Sequence, residues 1–359
     1  MYKRITVKVG SNVLTLPDGN LNERLIAGLA RQIVDLKRKD VEVLLVSSGA
    51  VASGRNVISE PKSSDPVSCR QLWAAVGQVR LIQKYGELFG AHGIICSQVL
   101  ATKEDFRDRQ HFLNMRNCLE TLLINDVVPV INENDVVSIT ELMFTDNDEL
   151  SGLITNMMNS DALIILSNID GIYDGSPSDP ASKVIPVITP GKISATRYIA
   201  PSKSNFGRGG MITKFSIAKK IALTGTPVHI ANGLTDNIVI DIVEGNKNTK
   251  QTVFTPGRKA TTFKKWLAHS DSVVKGTVHI NDGAAARLLE QHASSLLLVG
   301  VTYVEGEFEK GDVIQIIDDR KKIIGLGRSE YNSDTARKKI GEHNARAIIH
   351  YDYLYLKPE

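Results

Sequence analysis

Val41-Glu42-Val43-Leu44-Leu45-Val46-Ser47-Ser48-Gly49-Ala50 is the stretch on which the fold turns. A nearly unbroken aliphatic run passes directly into a small, hydroxyl-rich turn. Continuous runs of this kind belong to strands buried on both faces, as in a parallel sheet covered by helices, rather than to strands with one wet face. Working outward, the same pattern recurs at Ile5–Val9, Ile94–Val99, Val127–Ile131, Ala162–Leu166 and Val228–Ile230. Amphipathic stretches separate these runs. In Leu21–Lys39, Leu25, Ile26, Leu29, Ile33 and Leu36 recur at helical spacing, and basic residues crowd the last turn, where the helix dipole favours them. Six strands alternating with helices predict an α/β fold with an open parallel or mixed sheet, and ligands outside the carboxyl ends of its strands.

From residue 255 the pattern changes. Pro256-Gly257 and the basic residues Arg258, Lys259, Lys264 and Lys265 read as a linker over 256–274, following a first domain at 1–255. Beyond Lys275 the strands are short and divided by turn signals such as Asn281-Asp282-Gly283 and Lys310-Gly311-Asp312, which predicts a small, mostly-β, barrel-like domain over 275–359. A chain of 359 residues with 42% hydrophobic and 23% charged residues is of ordinary globular composition, which excludes disordered, collagenous and coiled-coil classes. Lys and Arg number 43 against 40 Asp and Glu, so net charge alone implies no polyanion partner. No stretch approaches the ~18 uninterrupted apolar residues of a membrane span, and no apolar leader follows Met1. Cys69, Cys96 and Cys118 are odd in number and widely spaced, which fits a reducing, cytoplasmic compartment.

Three strand ends carry glycine and small hydroxyl residues that offer backbone N–H groups to an anion. In Val7-Lys8-Val9-Gly10-Ser11-Asn12, Lys8 interrupts an apolar strand. It either faces solvent on an edge strand or meets a negative partner such as a phosphate. Ser47-Ser48-Gly49-Ala50 reads either as an anion cradle or as an ordinary helix cap. Phe206-Gly207-Arg208-Gly209-Gly210-Met211-Ile212-Thr213-Lys214 is the strongest phosphate signal, a glycine-rich loop feeding a helix with Lys214 one turn inside it. It matches neither the P-loop nor the dinucleotide pattern. Two acidic-amide clusters complete the set. Asn132-Glu133-Asn134-Asp135 follows the fourth strand and suits an ammonium or hydroxyl, or forms a turn for local reasons. Thr145-Asp146-Asn147-Asp148 precedes a helix over 149–159, where Asp148 serves as its N-cap or holds the lysines. The eight histidines are dispersed, and no zinc-protease motif, Cys/His cluster or serine-hydrolase elbow is present, so no protein metal centre is expected.

Taken in order, Lys8-Val9-Gly10-Ser11, Ser47-Ser48-Gly49-Ala50, Asn132–Asp135, Asp146-Asn147-Asp148, Ser167-Asn168-Ile169-Asp170-Gly171 and Gly209–Lys214 resemble the glutamate 5-kinases of the amino-acid kinase family. Gly276-Thr277-Val278, Asp282-Gly283-Ala284 and Gly306-Glu307-Phe308 resemble the PUA domain that many bacterial members carry. The resemblance implies a three-layer αβα sandwich followed by a PUA-like barrel, and transfer of the ATP γ-phosphoryl group to the γ-carboxylate of L-glutamate. By the same resemblance Lys8 and Lys214 neutralise the transferring group and Asp148 orients them. Ser48, Gly49, Asn132, Asp135 and Asn147 form the glutamate site. Gly10, Ser167, Asn168, Arg208, Gly209, Gly210, Met211, Ile212, Thr213 and the two lysines form the nucleotide site. Mg²⁺ would be held mainly by the nucleotide phosphates. Proline as feedback inhibitor and a homodimer or homotetramer are also implied, and the segment 55–68 is the candidate cover of the glutamate pocket. Asn168 and Arg208 depart from the family's usual Asp and Thr. Relatives acting on N-acetylglutamate, aspartate, carbamate or a nucleoside monophosphate are the nearest alternatives, but the two acidic-amide clusters favour a free amino acid. PUA domains elsewhere bind RNA, and Arg320-Lys321-Lys322 and Arg337-Lys338-Lys339 are basic, yet the small net charge argues against RNA as a partner.

Overall fold

The computed structural model describes residues 1–107, 109–138, 144, 146–190, 210–258, 261–267, 274–290 and 294–356. It divides into two units, one formed by Met1–Asp105 with Arg109–Lys259 and the other by Ala260–Glu359 with Phe106–Asp108.

The first unit is built on an eight-stranded sheet. Its strands are β1 (Arg4–Val9), β2 (Glu42–Ser47), β3 (Cys96–Ala101), β4 (Val128–Glu133), β5 (Ala162–Ser167), β6 (Val187–Ile188), β7 (Val228–Asn232) and β8 (Gln251–Phe254). They lie in the order β3-β4-β2-β1-β5-β7-β8-β6, parallel except that β8 runs antiparallel to β7. All six expected strands form. β6 and β8 went unread, because the first has two residues and the second is a short run beyond the last recognised repeat. The helices are α1 (Ser11–Leu14), α2 (Glu23–Lys37), α3 (Ala50–Val57), α4 (Pro66–Gly90), α5 (Glu104–Arg107), α6 (Arg109–Ile124), α7 (Asn147–Met158), α8 (Met211–Leu223) and α9 (Ile238–Glu244). They cover both faces.

Strand alternation sorts the side chains between those faces. Ile5, Val7 and Val9 of β1 join Val43, Leu45, Ile164 and Leu166 in one core beneath α2, α4 and α9. Leu163 and Ile165 join the opposite core under α8. Thr6 and Lys8 therefore project to the face of α7 and α8, and because β1 lies between β2 and β5 the edge-strand reading of Lys8 is corrected. The two-residue period puts that ammonium in the interior.

Local chemistry sets the helix ends. Asn22 caps α2 by accepting from Leu25 N–H, and Asp65 caps α4 ahead of Pro66 at its first position. α3 and α4 cross without side chains between them: a Cβ on Gly54 would stand 1.8 Å from the Trp73 carbonyl oxygen, and one on Gly77 1.8 Å from that of Ala50. Only hydrogen fits at either position.

The second unit contains α10 (Thr262–Leu267), within the stretch read as linker, then β9 (Gly276–Ile280), α11 (Asp282–Glu290), β10 (Val301–Gly306), β11 (Val313–Ile317), β12 (Ile323–Arg328), α12 (Ser333–Lys338) and β13 (Leu354–Leu356). Its strands form one sheet in the order β10-β9-β11-β12-β13, antiparallel except for β9 with β11. Val278, Ile280, Ile314, Ile316 and Ile349 lie in a separate core.

Candidate active site

The carboxyl ends of β1, β2, β4 and β5 open on one end of the sheet, where the expected residues gather. The Asp148 carboxylate, fully buried on α7, lies between two ammonium groups. Lys8 Nζ is 2.6 Å from its Oδ1 and Lys214 Nζ donates to its Oδ2 at 2.8 Å. The Lys8 contact is a close ion pair on Oδ1, and the Lys214 contact one on Oδ2. Lys8 is 4% and Lys214 9% exposed. Burial alone would raise the Asp148 carboxyl, but the two ammoniums override it and hold it well below the ordinary carboxylate range. Burial lowers Lys8, helped by Lys214 and only partly offset by Asp148. For Lys214, burial is outweighed by Asp148 and the group titrates above its ordinary value. Three buried groups thus carry a net positive charge, which suits a site for a polyanion.

The start of α7 corrects the expected cap. The helix begins at Asn147, and its N-cap is Asp146, whose Oδ1 accepts from the N–H groups of Asp148 and Glu149. Asp148 is free to face the lysines. Desolvation and the neighbouring Asp148 charge push the Asp146 carboxyl up to about 6, and its Oδ2 is buried without a partner. Neither Ser47 nor Ser48 caps α3. That place belongs to Gly49, in the left-handed region at φ 103, where a side chain would be strained.

Beside the lysine pair is a cavity of about 620 Å³, and Ser48, Gly49, Asn132, Asp135 and Asn147 all line it. Asn132 belongs to β4, which continues to Glu133 rather than ending before the acidic-amide cluster. A chain of amides connects these residues. Asn147 Nδ2 donates to Ser48 Oγ at 2.9 Å and to Asn132 Oδ1 at 3.0 Å, and Asn132 Nδ2 donates to Gln78 Oε1 at 2.9 Å. Asn147 Oδ1 remains an unused acceptor. The last turn of α3 brings Arg55 and Asn56 to the same wall, and Ser59 follows just beyond the helix. Sequence reasoning overlooked Arg70, whose guanidinium donates to Asp135 at 2.5 Å, and Gln78; both lie on α4, about 60 residues from their partners. No local pattern marks them, although an arginine on the inner face of a helix that packs against strand ends is a signal worth weighing.

Of the residues expected at a nucleotide, Ser167 ends β5 with Asn168 following, and Gly210 is the N-cap of α8, with Met211, Ile212, Thr213 and Lys214 in its first turn. Gly10 follows β1, where a Cβ would stand 3.5 Å from Lys8 Nζ. Asn232, at the end of β7, donates to Asp170 at 2.9 Å. Arg208 and Gly209 lie outside the described residues. His229 is a satisfied interior residue, between the Tyr2 hydroxyl at 3.0 Å and Gln251 at 2.8 Å. Among the described residues no group of three or more His, Cys, Asp or Glu is placed to hold a metal.

Residues 3–232 match the model of the Amino acid kinase family, and residues 276–351 that of the PUA domain. A glutamate 5-kinase of Bacteroides thetaiotaomicron is 52% identical over 357 residues, covering 99% of each chain. One of Chlorobaculum tepidum is 49% identical over 359 residues, covering 100% of this chain and 98% of that one. The solved carbamate kinase from Giardia lamblia bound to AMP-PNP shares the fold at a TM-score of 0.52 and 19% identity, over 71% of this chain and 98% of that one. The sheet order, the two covered faces and the full-length matches agree: this chain belongs to the amino acid kinase family, on its glutamate 5-kinase branch, with a PUA domain behind the kinase domain.

Proposed function

We propose that this protein phosphorylates the γ-carboxylate of L-glutamate with ATP, giving γ-glutamyl phosphate and ADP, the first step toward proline. The observation that carries the reading is the buried Asp148 bridge between Lys8 and Lys214, next to a cavity walled by amides, acids and Arg70. A carboxylate is already ionised at neutral pH, so its oxygen attacks the γ-phosphorus without a general base, and the bond to the β–γ bridging oxygen breaks as ADP leaves. What remains for the protein is alignment and charge neutralisation. Lys8 and Lys214 supply the second, and Asp148 fixes where their charges sit. Ser48, Asn147 and Asn132 orient the acceptor, with Asp135 opposite its ammonium. Gly10, Ser167, Asn168 and the first turn of α8 border the phosphates, an arrangement supported by the helix N-terminus and the closeness of Gly10 to Lys8.

Mg²⁺ fits this scheme only as a companion of the nucleotide. The described residues offer no cage for a bare cation, and the metal would partly neutralise the β- and γ-phosphates while these residues do the rest. Proline feedback, a homodimeric or homotetrameric state and a cytoplasmic location belong to the same proposal and rest on likeness of sequence.

ADP release from Mg-ATP tests the reading, across L-glutamate, N-acetyl-L-glutamate, L-aspartate, carbamate and UMP, with hydroxylamine present to trap acyl phosphate. Turnover with glutamate, trapped as the γ-hydroxamate and suppressed by millimolar proline, is the expected result. Turnover confined to another acceptor would keep the fold and overturn the substrate.

A further inference from the structure

We propose that the Arg70–Asp135 ion pair is a recognition device that the incoming amino acid opens, with the α-carboxylate of the substrate taking Arg70 as its ammonium takes Asp135. The inference rests on the glutamate kinase reading and adds the group that reads the substrate's second charge.

A zwitterionic head brings one negative and one positive group into the cavity, and each needs a partner once water is excluded. Among the described residues, the cations lining the cavity are Arg55 and Arg70. Arg55 is exposed and engaged at the rim, its guanidinium 4.3 Å from the centre of the Trp73 ring. Lys8 and Lys214 are not in that lining, and both are committed to Asp148. Arg70 is left. Its Nη2 meets the nearly buried Asp135 at 2.5 Å, while its Nε is buried with no partner, so the fork keeps an unused donor. Once Nη2 is released from Asp135, Nε and Nη2 together match a carboxylate in shape and charge.

Without substrate the two residues satisfy each other. With substrate, the ammonium satisfies Asp135 and the carboxylate satisfies Arg70, so no charge is left uncompensated in either state. An acceptor that lacks either head group would break the pair and replace only half of it. The same device should disfavour N-blocked and α-amidated glutamate.

The test compares L-glutamate with its α-amide, L-isoglutamine, in the wild-type enzyme, Arg70→Gln and Arg70→Lys, by ADP release with hydroxylamine trapping and by thermal melting. Wild type is expected to favour glutamate by about a hundredfold in kcat/KM. In Arg70→Gln the preference should collapse toward unity, through a higher KM for glutamate with kcat nearly kept and little change for the amide, because the contact lies away from the reacting carboxylate. Arg70→Lys should retain part of the preference. A residue that merely supported Asp135 or the fold would lower both substrates alike, so equal losses, or an undiminished preference, would overturn the inference and leave the glutamate reading standing. No turnover of glutamate by wild type would overturn both.

Discussion

At the scale of single residues the site is governed by one buried carboxylate serving two ammoniums. Lys214→Ala leaves Asp148 paired with Lys8, so the fold should survive while the transition state loses one of its two donors. Removing one such preorganised donor costs about 10²–10³ in kcat. A variant with normal melting behaviour and turnover near wild type would refute the role given to Lys214. Asp148→Asn is the harsher change, because it strands two buried ammoniums together. Loss of about 3–5 kcal/mol of stability at pH 7 is expected, in line with other buried pairs broken on one side. Without Asp148, burial and mutual repulsion depress both lysines in the folded state. Their penalty is then greatest at low pH and relaxes as they shed protons, so denaturant unfolding should show the variant regaining stability between pH 7 and 10. A pH-independent deficit would mean that the lysines are not held as charges there.

Among the elements, the entry to α7 does most to set the site, since a single cap decides which acid faces the lysines. With the Asp146 carboxyl raised to about 6, the folded protein binds that proton more tightly than the unfolded chain. Stability therefore falls as pH rises from about 4 to 6. Asp146→Asn keeps a good cap and removes the charge, so it should flatten that slope and raise the melting temperature at pH 8. A variant less stable than wild type at pH 8 would contradict the assigned strain. The sequence marked α7, its acids and the six main strands because each leaves a local pattern: an aliphatic run, a small-residue turn, a cluster of amides. It did not mark the cap position, which depends on a φ/ψ choice within one turn, nor Arg70 and Gln78, which depend on how α4 lies over distant strand ends. That placement follows from the Gly54 and Gly77 crossing, and two glycines in amphipathic helices carry no such message by themselves. Lys8 shows the converse. Its burial followed from strand periodicity only once the strand order placed β1 in the middle of the sheet.

In the molecule as a whole, the hydrophobic cores fall into two sets built from separate stretches of chain, the two cores of the first unit within residues 5–254 and that of the second from 278 onward. Each is large enough to unfold cooperatively, so calorimetry should resolve two transitions, with ATP shifting only the one that belongs to the kinase unit. A single transition moved as a whole by ATP would show that the units stand or fall together. The sheet order has a further consequence, for synthesis rather than for chemistry. β1 leaves the ribosome long before one of its two neighbours, β5, which begins only at Ala162. At ~5–20 residues per second that interval is on the order of ten seconds. Through it the edge of β1 that β5 will cover keeps its backbone N–H and C=O groups unpaired, so the nascent centre strand spends that interval as an open edge able to pair with another chain.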